Sequence, residues 1–122
     1  TTGLGFSAAR RLVEDGARVV VTSRSEKNVA DALVALGRNA RGFAADAADS
    51  STSERAVALA VESFGRLDAL YHVAGGSGRS KGDGALHELT DDGWRYSISR
   101  LSCSRIARQS SNSSNKVTAA VS

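Results

Sequence analysis

The chain opens on Thr1-Thr2-Gly3-Leu4-Gly5, and a helical pattern follows at once. Two glycines ahead of a helix let backbone N–H groups approach a phosphate, where the positive end of the helix dipole favours the anion. On spacing alone the same residues also make an ordinary tight turn. About 20 residues further on, the place where a dinucleotide-binding unit meets the adenosine ribose, stands Ser23-Arg24. An acid there would accept both ribose hydroxyls and repel a 2′-phosphate. A hydroxyl beside a guanidinium suits the phosphorylated ribose instead, because arginine offers a dianion a planar fork of donors. Taken singly, Arg24 reads as a surface arginine, and its place at a strand end tips it towards function. Asp46-Ala47 closes the next apolar run, as a ligand group or as a turn acid. Ala74-Gly75 closes the last, where small residues let a flat ring lie against the backbone or simply make a loop.

The elements that must position these groups are punctuated by glycine. Phe6, Ala9, Leu12 and Val13 fall at helical spacing between Gly5 and Glu14, and Gly16 supplies the left-handed stop. Ala17 to Thr22 is rich in β-branched residues and suits a buried strand. Ser25 caps a second helix with Val29, Leu33 and Leu36 on one face, ended by Gly37. Gly42 to Ala45 reads as a weaker strand. Ser51-Thr52-Ser53-Glu54 has the form of a capping box, ahead of a helix that turns Val57, Ala60, Val61 and Phe64 to one side before Gly65. Leu67 to Ala74 is the third strand, and Thr90 with Asp91 and Asp92 starts a further helix with Trp94 as its packing anchor. Strands alternating with helices imply a doubly wound parallel α/β sheet. In such sheets the ligand crevice lies outside the strand carboxyl ends, where all four groups converge.

A chain of 122 residues makes one domain, and 41% hydrophobic with 24% charged residues is an ordinary globular balance. No apolar run approaches the ~20 residues of a membrane helix. The single Cys103 excludes an internal disulfide and fits a reducing, cytoplasmic compartment. His72, His87 and Cys103 lack metal-ligand spacing, so no metal is expected. The absence of methionine points to a piece of a longer protein. Residues 1–95 read as a partial dinucleotide-binding domain and 96–122 as a divergent Ser/Arg-rich tail. Ser97 to Ser114 holds few residues to bury and reads as loose or disordered. A net charge of +3 leaves a basic nucleic-acid-binding module as the weakest reading, because no aromatics interleave with the tail arginines to stack bases.

Taken in order, these motifs resemble the amino-terminal part of a short-chain dehydrogenase/reductase, a superfamily with a Rossmann-type sheet. Its T-G-x-x-x-G-x-G would supply Gly3-Leu4-Gly5 as the last three positions, with the leading Thr-Gly and the first strand upstream of residue 1. Ser23-Arg24 resembles the NADP-preferring members, so the resemblance implies NADP(H) rather than NAD(H). Asp46-Ala47 resembles the Asp-Val that meets the adenine amino group, and Ala74-Gly75 the end of Asn-Asn-Ala-Gly, whose first two positions are His72-Val73 here. Hydride transfer between the nicotinamide and a small carbonyl or alcohol is the implied reaction, in a homo-oligomer without nucleic acid or membrane.

The family's Y-x-x-x-K is absent: Tyr71 is followed four residues later by Gly75, and Tyr96 by Arg100, which cannot hand over a proton. No catalytic residue is therefore assigned. The chain reads as the cofactor-binding fragment of an enzyme or as a non-catalytic remnant of one. With the first strand missing and the carboxyl half missing or degenerate, the sheet is expected to be incomplete. Across a gap one strand wide between the runs at Val19–Val21 and Leu67–Val73, the isolated chain must close the sheet differently or leave backbone groups unpaired, and it is expected to be marginally stable and prone to aggregate.

Overall fold

The computed structural model describes residues 3–75, 85, 87–101 and 118–121. Helix α1 (Gly3–Glu14) leads into β1 (Arg18–Ser23), α2 (Glu26–Leu36) into β2 (Ala40–Ala44), and α3 (Ser50–Phe64) into β3 (Ala69–Tyr71). Then come α4 (Asp91–Leu101) and β4 (Thr118–Val121). The four strands form one sheet in the order β2-β1-β4-β3, and every pairing is parallel.

The alternation of side chains along β1 divides the core into two layers. Val19 and Val21 face α1 and α2, in a cluster with Ala9, Ala32, Leu36 and Ala40. Val20 faces the other way, onto Ala56 and Ala60 of α3. All three valines are fully buried, each contributing about 1.5–3 kcal/mol relative to an exposed position. Helices thus cover both faces, as a parallel sheet requires.

The helix ends show how the chain reverses between strands. After α1, Gly16 takes φ +85° and the Ala17 N–H donates to the Leu12 carbonyl at 2.8 Å. Ser25 caps α2, its hydroxyl accepting from the Asn28 N–H at 3.3 Å. Thr90 caps α4 by accepting from the Gly93 N–H at 3.1 Å.

Several expectations are corrected. The capping box is not formed: α3 starts at Ser50, and Asp49 is its cap, accepting from the Ser51 N–H at 2.9 Å. A carboxylate there also meets the positive helix end, an advantage that Ser51 lacks. The buried stripe of α3 is Thr52, Ala56 and Ala60, one step round from the expected face, because small residues let the helix approach Val20 closely. Phe64 packs against the core while itself only partly buried, and Val61 is about one-third exposed. Trp94 is 55% exposed, so it is no packing anchor among the described residues. The third strand is only three residues long.

The largest correction concerns the tail. The seat between β1 and β3 is one strand wide, as expected, but β4 occupies it. Val19, Val20 and Val21 pair with Ala119, Ala120 and Val121, while Ala69, Leu70 and Tyr71 pair with the same three from the other side. The end of the tail is thus part of a sheet that remains an incomplete doubly wound one; residues 102–117, which hold most of the expected loose stretch, lie outside the described residues.

Gly42 pairs with Val21, and a Cβ there would stand 2.5 Å from the Val21 carbonyl oxygen and 2.8 Å from its Cγ2. Gly42→Ala is therefore expected to cost about 1–3 kcal/mol. The measurement is urea unfolding, with a lower midpoint at unchanged slope as the expected outcome; an unaltered midpoint would contradict the β1–β2 register.

Candidate functional site

Because all the strands run one way, their carboxyl ends share one edge of the sheet. β1 ends in Ser23, half-buried, and passes to Arg24, which is exposed. Beside it β2 ends at Ala44, and the Ala45 N–H donates to the Ser23 carbonyl at 2.8 Å, tying the two tips together. Asp46 and Ala47 follow immediately. On the far side of β4, β3 passes into half-buried His72, Val73 and Ala74 and then exposed Gly75. Helix α1 packs on β1 and β4. Its twelve residues span about 18 Å and end where β1 begins, so its first turn stands at the same carboxyl edge. There Gly3 and Leu4 are exposed and Gly5 is buried.

The nine residues singled out in the sequence therefore lie along one edge, in the order Asp46-Ala47, Ser23-Arg24, Gly3-Leu4-Gly5, Ala74-Gly75. Their local surroundings differ. Among the described residues Arg24 has no hydrogen-bond or ion-pair partner. Gly3 takes φ +61°, a conformation a side chain disfavours, and a Cβ there would meet none of the described residues within 4 Å. At Gly75 the one neighbour of an added Cβ among the described residues is the Val73 carbonyl at 3.8 Å. Leu4, 74% exposed between the two glycines, offers its backbone rather than a packed side chain.

Asp46 does structural work of its own. One carboxylate oxygen accepts from the Ala48 N–H at 3.0 Å, forming an Asx turn. Its carbonyl accepts from the Asp49 N–H at 3.1 Å and from the Thr52 hydroxyl at 2.7 Å. The turn-acid reading of Asp46 thus holds for both its backbone and its exposed side chain. Thr52 escaped the sequence reading: a buried hydroxyl reaching back six residues has no signature in a helix-cap template, and its position on the α3 buried stripe is the one clue.

Among the described residues no group of three or more His, Cys, Asp or Glu could hold a metal ion, and no helix is long and apolar enough to cross a membrane. The arrangement offers instead a helix amino terminus, a lone cation, a carboxylate and an open glycine shelf. This is the equipment of a Rossmann-type nucleotide-binding domain, whose ligands lie outside the strand carboxyl ends.

Comparison with known proteins narrows the class to a family. The profile described as short chain dehydrogenase matches residues 1–105, and the chain belongs to that family. It is 36% identical over 97 residues to dehydrogenase/reductase SDR family member 4 of Homo sapiens, covering 77% of this chain and 34% of the relative. It is 41% identical over 80 residues to an L-rhamnose 1-dehydrogenase (NAD(P)(+)) of Azotobacter vinelandii, covering 60% and 31%. Among solved structures, an actinorhodin polyketide ketoreductase variant with NADPH matches at TM-score 0.68 and 35% identity, over 80% of this chain and 37% of that one. The chain spans about a third of the length of the curated relatives it matches.

The loop from Asp46 to α3 carries a pH dependence. Hydrogen bonds from Ser51, through its backbone first and its hydroxyl second, hold the Asp49 carboxyl below its ordinary value of 3.8, with Arg55 helping and slight desolvation opposing. A depressed folded pKa means that the cap stabilises fully above the ordinary carboxylate range and fades as pH falls through the lowered value. Asp49→Ala is expected to lower the melting temperature at pH 7 and to leave it nearly unchanged at pH 2. An equal loss at both pH values in thermal melts would contradict the ionised cap.

Proposed function

We propose that this chain carries the NADP(H)-binding part of a short-chain oxidoreductase that reduces a carbonyl or oxidises an alcohol on a small molecule. The observation that carries the reading is Arg24: an exposed guanidinium with no partner among the described residues, at the carboxyl tip of β1. Arg24 and Ser23 take the 2′-phosphate of the adenosine ribose, two charge-assisted contacts that NAD(H) cannot make. The backbone of Gly3, Leu4 and Gly5 at the start of α1 takes the pyrophosphate. Asp46 and Ala47 border the adenine, the carboxylate accepting from its amino group. Ala74 and Gly75 form the shelf on which the flat rings approach the backbone.

When bound, the cofactor supplies hydride exchange at its nicotinamide. The chain's own residues bind and orient it; no Tyr here has a Lys four residues later, so the proton transfer that accompanies the reaction is not assigned to this segment. The NADPH of the ketoreductase neighbour supports the cofactor choice, while the rhamnose dehydrogenase relative is named for both cofactors. The lone Cys103 supports a cytoplasmic setting, and a homo-oligomer is proposed on family resemblance alone.

The test is titration of the chain with NADPH and NADH. NADPH is expected to bind more tightly, and Arg24→Asp to weaken NADPH about tenfold to a hundredfold, the worth of a charge-assisted hydrogen bond. NADH should hold steady or improve. An unchanged ratio of the two affinities would refute the role given to Arg24.

A further inference from the structure

Burial accounts for most of α3 and leaves one atom over. Thr52, Ala56 and Ala60 are the buried residues of this helix, and the two alanines pack on Val20 of β1. A valine would fill the place of Thr52 with the same shape and no polar group. Packing therefore gives no reason for the hydroxyl, which costs free energy when buried unless it is bonded. A threonine in a helix ordinarily bonds a carbonyl three or four residues back. Thr52 instead reaches out of the helix and donates to the Asp46 carbonyl at 2.7 Å, six residues back.

That bond falls on a segment pinned from two sides. On the strand side the Ala45 N–H donates to the Ser23 carbonyl at 2.8 Å, which fixes the approach to Asp46 from the tip of β1. On the helix side the Asp46 carbonyl accepts from the Thr52 hydroxyl and, at 3.1 Å, from the N–H of Asp49, the α3 cap. This carbonyl belongs to the planar peptide that joins Asp46 to Ala47. Holding it sets the rotation about the Asp46 Cα–C bond, and so how the carboxylate stands relative to Ala47. The bond from the Ala48 N–H, at 3.0 Å, uses one of the roughly four acceptor sites of a carboxylate.

We infer that Thr52 is a positioning residue for nucleotide recognition: its buried hydroxyl, by holding the Asp46–Ala47 peptide, aligns the Asp46 carboxylate with the exocyclic amino group of adenine. The role rests on the adenine contact proposed above. Thr52 touches no nucleotide and acts through Asp46 alone. Its effect is base selection, because a purine with a carbonyl in place of that amino group offers the carboxylate no donor.

The test compares, on the full chain, NADPH with reduced nicotinamide hypoxanthine dinucleotide phosphate, which carries a carbonyl at that position. The native chain is expected to bind NADPH more tightly. Thr52→Val keeps the shape and removes the donor; it is expected to weaken NADPH about threefold to tenfold and to leave the hypoxanthine dinucleotide unchanged. Thr52→Ser, which retains the hydroxyl, should keep the native ratio. A purely structural loss in Thr52→Val would lower both affinities alike, and an unchanged ratio overturns the inference. In an Asp46→Ala background, Thr52→Val should no longer alter the ratio; a change there overturns the route through Asp46. Should Thr52→Val fail to fold, the native chain decides. The Thr52 amide resonance should then shift more with NADPH than with the hypoxanthine dinucleotide, and equal shifts overturn the inference. A native chain that binds both dinucleotides equally defeats the adenine contact and the role of Thr52 with it. A native preference that Thr52→Val leaves intact defeats the role of Thr52 alone.

Discussion

One constraint shapes this molecule: its strands all run in the same direction. Parallel strands cannot be joined by tight turns, so β1, β2 and β3 are joined through α2 and α3, which return across the faces of the sheet. The faces are thereby covered, and the backbone groups that the ladder does not use are left at the strand ends. With the described strands all pointing one way, the loops that follow them gather on one edge of the sheet and the loops that lead into them on the other. Arg24, Asp46, Gly75 and the start of α1 meet there although they are far apart in sequence. The amino end of α1 brings its first N–H groups to that edge, where a helix terminus favours negative charge.

The same constraint makes β1 and its neighbours the mechanical centre. Val19 and Val21 face one helical layer and Val20 the other, so β1 transmits any loss in either layer to both. β1 is also hydrogen-bonded on both sides, to β2 and to β4. Without a strand on its second side, fully buried residues would carry unpaired backbone groups, each costing about 1–3 kcal/mol. β1 therefore depends on a partner strand about a hundred residues further along the sequence.

Much of this was legible because short-range signals and tertiary structure agree here. Glycines at 16, 37 and 65 end their helices in the chain as they do in the sequence pattern, each with positive φ. Ser25 and Thr90 cap where their hydroxyls predict. The misreadings have physical causes. The α3 stripe was placed by apolar size, whereas close approach to Val20 selects the small residues Ala56 and Ala60 and tolerates Thr52 because its hydroxyl is bonded. Asp49 outcompeted Ser51 as a cap because charge adds to hydrogen bonding at a helix start. β4 was missed for a different reason. Four residues beyond a serine-rich stretch carry a strand preference too short to stand out, and their partners in β1 and β3 lie far away in the sequence. In the site, residue types and spacing located all nine candidates on one edge, but they could not reveal that Asp46 also builds the turn leading to its own helix.

The central claim is that these groups form one binding surface for a phosphorylated dinucleotide. It is tested most directly by following backbone amide resonances of the full chain during titration with NADPH. Shifts are expected together at Gly3–Gly5, Ser23–Arg24, Asp46–Ala47 and Ala74–Gly75, saturating with one dissociation constant. Shifts scattered over the helical faces, or none along the carboxyl edge at saturating NADPH, would contradict it.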